Sequence, residues 1–125
     1  MRRAVTLNNL EQSTTELAKT LYAALEERQS LSVRFVFRVT PDGSVSAPDF
    51  WFFAEAAAEG EKDYPSDRVH GRVTDTAMAH WQLTQTLGLP RWYKMTATVE
   101  RTGRFNVDFE YRDHYREGDI MREQG

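Results

Sequence analysis

Histidine is the side chain whose ordinary titration lies nearest neutrality, so proton chemistry would be sought first at the three histidines, His70, His80 and His114. His80 is the one with a setting of interest. It falls in the middle of an apolar stripe, where burial shifts a titration. A working general base needs a nucleophile and an orienting carboxylate that converge on it. The nearest acid, Asp75, is off the same helical face, and no His-Glu-x-x-His spacing supplies the ligands of a zinc hydrolase. The expectation is therefore a histidine at the edge of a core, bonded to a backbone carbonyl. The enzyme alternative expects a concave pocket lined by His80, Trp81 and Tyr93.

Paired carboxylates are the second chemistry-bearing pattern. Asp108 and Glu110 sit two apart on one strand face, a spacing that suits a metal or a glycosidic bond. Arg104 and Arg112 flank them, which points instead to ion pairing on a solvated face. With no cysteine, disulfides, thiolate metal sites and cysteine nucleophiles are all excluded. Gly43, Gly88 and Gly103 each fall at a turn or a helix end, and no glycine-rich phosphate loop is present. No catalytic residue, cofactor or metal is expected.

The elements that must position these residues follow from periodicity. Asn9 is a good N-cap, with Gln12 placed as in a capping box. From there Leu10, Thr14, Leu17, Leu21, Ala24 and Leu25 form one stripe on a helix. In Leu31–Val39, the residues Leu31, Val33, Phe35, Phe37 and Val39 alternate with Ser32, Arg34 and Arg38, as in a strand with one buried face. Thr40-Pro41-Asp42-Gly43 makes a turn, and Val45–Glu55 should return as the second strand, with Pro48 marking a bulge or an edge. Residues 56–67 read as a polar loop. A second helix should begin between Pro65 and Thr74 and stop at Gly88 with Pro90 beyond it. Its stripe is Val69, Val73, Thr76, His80, Leu83 and Leu87, with Ala77 and Trp81 at the margin.

The clearest hairpin comes last. Tyr93, Met95, Ala97 and Val99 alternate with Lys94, Thr96, Thr98 and Glu100. After a turn at Thr102-Gly103, Phe105, Val107, Phe109 and Tyr111 alternate with polar residues. The fold expected is α+β in two layers: a mainly antiparallel sheet of two hairpins against two helices, in the order α-β-β-α-β-β. One domain should span residues 1–125, with 113–125 a charged tail.

Phe50, Trp51, Phe52 and Phe53 place aromatic rings on both faces of one strand, so each face needs a cover or a partner. Beside them Glu55, Glu59, Glu61 and Asp63 form an acidic rim suited to a basic partner. The bulk composition agrees with an ordinary globular protein, at 40% apolar and 28% charged residues. A net charge of -3 argues against general nucleic-acid binding, which calls for a basic domain. No stretch reaches the roughly 18 apolar residues of a membrane span. Nor does an apolar run of signal-peptide length follow Arg2-Arg3. A soluble, cytoplasmic protein without membrane contact is expected.

The segment Trp92-x-x-Met-x-x-x-Val-x-x-Thr-Gly-Arg-Phe-x-Val-Asp-Phe-x-Tyr111 resembles the closing hairpin of the YezG-like immunity (antitoxin) proteins. These pair a tryptophan-led strand with a Gly-Lys-Phe-x-Ile-x-Tyr-x-Tyr return strand, often followed by an acidic residue, here Asp113. The preceding order also matches: a helix, a strand pair turning at Gly43-Ser44 with an aromatic second strand, then a helix. The resemblance implies a protein that neutralises a cognate bacterial toxin, commonly a nuclease domain, by occlusion. Contacts would fall on Glu55, Glu59, Glu61 and Asp63, on Asp108, Glu110 and Asp113, and on Trp51 as an anchor. The alternatives are a secretion-chaperone-like or other small interaction module, dimeric through its sheet or helices, and a ligand binder or enzyme using His80. The sequence does not set the oligomeric state.

Overall fold

The computed structural model describes residues 2–40, 42–43, 48–55 and 59–111, with side chains from residue 9 onward. The tail expected over 113–125, with Asp113 and His114, lies outside them. In chain order the elements are α1 (Arg2–Arg28), β1 (Ser32–Arg38), β2 (Asp49–Phe53), β3 (Glu61–Lys62), α2 (Asp67–Thr86), β4 (Lys94–Glu100) and β5 (Phe105–Glu110). The sheet has five strands in the order β3-β2-β1-β4-β5, and every neighbouring pair is antiparallel. This is the α+β architecture expected, with helices packed against a sheet.

The core forms where the two periodicities meet. From α1 come Leu17, Leu21, Ala24 and Leu25, all fully buried. They meet Val33, Phe35 and Phe37 of β1, Phe50 and Phe52 of β2, and Met95, Ala97 and Val99 of β4 in one cluster. From α2 come Val69, Val73, Ala77 and Trp81. Each buried leucine or phenylalanine contributes about 1.5–3 kcal/mol by leaving water. Along β4 the burial alternates residue by residue, as the sequence period requires. Among the described residues no helix is long and apolar enough to cross a membrane.

Several details differ from the sequence reading. α1 starts at Arg2, so Asn9 is inside the helix and caps nothing; no proline or glycine in residues 2–8 interrupts the backbone. β2 starts only at Asp49, and Pro48 precedes the strand, where its missing N–H costs no ladder bond. The supposed loop contains β3, which adds an edge strand to β2. Two residues are too few for a period to reveal. A Cβ at Gly60 would stand 2.8 Å from the Phe53 ring, so a side chain there would block the close approach of this segment to β2.

At both ends of the strands some apolar residues escape burial. Leu31 precedes β1 and is exposed, although its N–H donates to Phe53 O at 2.8 Å. Tyr111 follows β5 and is exposed too. β5 is an edge strand, and Phe105, Val107 and Phe109 are only half-buried.

α2 begins at Ser66, whose hydroxyl accepts from Val69 N, and the Glu27 carboxylate accepts from both the N–H and the hydroxyl of Ser66. The helix runs through Gly71 without a break. Its buried side is Val69, Val73, Ala77, His80, Trp81 and Thr84, so Ala77 and Trp81 are central and Thr76 and Leu83 are marginal. Trp81 sets this rotation: its indole fills the core and donates to Trp92 O at 3.1 Å.

Candidate functional site

The helix end beside His80 is built by a Schellman motif. Gly88, at φ +68°, donates to Gln85 O at 3.0 Å, and Leu89 donates to Thr84 O at 2.9 Å. The turn sends the chain back along α2, so that Trp92 returns beside His80. Trp92 is 1% exposed and His80 5% exposed. Indole Nε1–H of Trp92 donates to His80 Nδ1 at 3.2 Å. The imidazole lies flat on Phe109 of β5, with ring centres 4.9 Å apart and planes 9° apart.

His80 is therefore not bonded to a carbonyl, as the sequence reading expected, but accepts from an N–H donor. The distinction fixes its chemistry. Since Nδ1 accepts, the neutral ring carries its proton on Nε2. Burial holds its pKa below the ordinary 6.5, and a second proton at Nδ1 would face the indole N–H. Among the described residues His80 makes no hydrogen bond to a carboxylate or hydroxyl of the kind that orients a general base. Among the described residues Nε2 has no protein partner.

Next to the ring is a cavity of about 360 Å³, in the range of small-molecule sites. Leu10, Leu89, Pro90, Trp92, Phe109 and Tyr111 give it an apolar wall, and His80, Glu11, Thr14 and Thr84 supply its polar groups. It is concave, as the alternative reading required, but Trp81 and Tyr93 do not line it. Trp81 is committed to the core, and the Tyr93 hydroxyl donates to Glu110 at 3.3 Å.

The residues expected to meet a partner are spread over the sheet. Both helices pack on the Phe35 face, and among the described residues no element covers the opposite one. There Trp51 and Phe53 lie half-buried, with Lys62 Nζ 5.9 Å from the Trp51 ring centre and the Arg34 guanidinium 5.1 Å from that of Phe53. Lys62 and Arg38 also clasp Asp49, at 3.0 and 3.1 Å. Charged side chains thus blanket aromatic rings that the sequence reading covered with structure or a partner.

Asp108 and Glu110 are on the same open face, three strands from Trp51, or about 14 Å at ordinary strand spacing. Glu110 pairs with Lys94 at 3.6 Å, while Arg104 pairs with Glu100. Ion pairing is present at Glu110, with Lys94 as the cation; Arg112 lies outside the described residues. The acidic rim divides: Glu61 and Asp63 both pair with Arg28 of α1, on the helix side of the sheet. That hydrogen bond from Arg28, with one from the Tyr64 backbone, lowers the Asp63 pKa below 3.8. Glu55 and Glu59 are exposed, without an ion partner among the described residues.

Within the described residues, no three histidine, aspartate or glutamate side chains converge to hold a metal ion. No protein-family model matches the chain, and none of the curated proteins matches it.

Proposed function

We propose that this chain is an immunity-type binding protein that neutralises a cognate bacterial toxin, a nuclease domain in the first instance, by covering its working surface. The observation that carries this reading is the sheet face opposite the helices, with Trp51 toward one edge and Asp108 and Glu110 at the other. An aromatic anchor toward one edge and exposed carboxylates at the other suit a partner with a broad basic surface, and a nuclease groove must be basic to hold phosphates. Occlusion needs no reacting group, only complementary shape and charge. The resemblance of the Trp92–Tyr111 hairpin to the YezG-like proteins supports the same reading. Glu55 and Glu59 would steer the approach at long range.

The test is protection. A toxin domain encoded beside this chain should arrest the growth of a susceptible cell, and co-production of the chain should restore growth through a one-to-one complex. Arrest that persists in the presence of the folded chain rejects the proposal.

A further inference from the structure

We infer that the cavity beside His80 is a binding site for a small, uncharged, flat apolar molecule with one hydrogen-bond acceptor, a carbonyl oxygen or a ring nitrogen. The inference is separate from toxin binding and rests on the inventory of hydrogen-bond donors in the cavity. Thr14 donates to Leu10 O and Glu11 O, and Thr84 donates to Trp81 O at 2.6 Å, so both hydroxyl protons are spent on their own helices. The Trp92 indole proton is spent on His80 Nδ1. What is left among the described polar side chains is the Tyr111 hydroxyl at the solvent edge and, within the wall, His80 Nε2–H, on a residue 5% exposed with no protein partner among the described residues. This donor is not sealed from solvent, so a ligand acceptor would take the place of water on it, inside an otherwise apolar wall.

The rest of the wall fixes the ligand class. Trp92, Phe109 and Tyr111 offer aromatic surface, and Leu10, Leu89 and Pro90 complete an apolar lining. Phe109 already holds the imidazole flat against it, so the donor's direction is set before a ligand arrives. Among the described residues Glu11 is the only charged side chain lining the cavity, and it would repel a carboxylate or sulfonate. Tyr111, 59% exposed, stands where the cavity meets solvent.

The probe is 6-propionyl-2-(dimethylamino)naphthalene, a flat apolar ketone whose fluorescence shifts to the blue on leaving water. Titrated against the full chain, it should bind saturably, one per chain, and perturb His80 Nε2 more than Nδ1 in a long-range nitrogen–proton NMR spectrum. His80→Phe, which keeps a flat ring against Phe109 but carries no N–H, should weaken it about tenfold, the value of one hydrogen bond. Thr14→Trp, which fills the cavity from α1, should abolish it. The anionic 8-anilinonaphthalene-1-sulfonate should bind more weakly than the ketone. The absence of saturable binding would overturn the inference, as would a bound ketone that leaves the His80 nitrogens unmoved. So would undiminished affinity in either folded variant, or tighter binding of the sulfonate. If a variant fails to fold, the NMR spectrum of the native chain decides alone.

Discussion

Two places in the molecule set an aromatic ring against a polar group, and they differ in what is left over. Around Trp51 the charges answer one another: Lys62 lies over the ring and bonds Asp49, which pairs with Arg38. Around His80, Trp92 occupies one ring nitrogen and Phe109 the ring face, and the other nitrogen faces no protein group among the described residues. The Trp51 cluster lies on an open sheet face and presents a surface; the His80 cluster lies between helix and sheet and presents a cavity. A polar group with its partners in place reads as structure or as a docking surface. One held rigidly with a donor to spare reads as a ligand site.

Core truncation should separate the two most strongly. Trp92→Ala removes a side chain 1% exposed and strands His80 Nδ1, and should cost about 3–5 kcal/mol in urea unfolding. Trp51→Ala, at a half-buried position, should cost roughly 1–2 kcal/mol, in proportion to the smaller area withdrawn from water. Equal losses would erase the distinction between anchor and core.

The ion pair comes next. Asp49→Asn removes the carboxylate that Arg38, 8% exposed, holds at 3.1 Å. Breaking such a pair should destabilise by about 3 kcal/mol, and Asp49→Asn with Arg38→Met should recover part of that. A neutral single substitution would mean that the pair is not desolvated.

The smallest effect is a pH dependence. His80 has a pKa below 6.5 when folded, so below pH 6.5 the unfolded chain binds a proton that the folded chain refuses. Stability should therefore fall as pH drops through 6.5 toward the folded value, by at most about 1.4 kcal/mol per pH unit from this group. His80→Gln should flatten that part of the curve. A curve unchanged by the substitution would assign the dependence elsewhere.

The sequence disclosed regular elements better than their contacts. The alternation from Met95 to Val99 and the leucine stripe of α1 are periodic because each packs on one surface, so both were legible. β3 was not, since two residues carry no period. The burial of α2 was read some way round from its true face because a leucine at position 83 counts the same as a tryptophan at 81 in a pattern. Volume decides the matter, and the larger ring took the core. The site at His80 was half legible. Its place on a buried stripe was visible, whereas its bond to Trp92 depends on the path of the Gly88–Arg91 return, which no local pattern encodes.

The measurement that bears most directly on binding through the open sheet face is affinity capture from an extract of the native organism at low and moderate salt. The native chain should be run beside a folded Trp51→Ala/Asp108→Lys/Glu110→Lys variant. The predicted result is one stoichiometric partner with a toxin domain, held by the native chain and released by the variant. Equal retention by both chains, or no partner on the native chain, would contradict it.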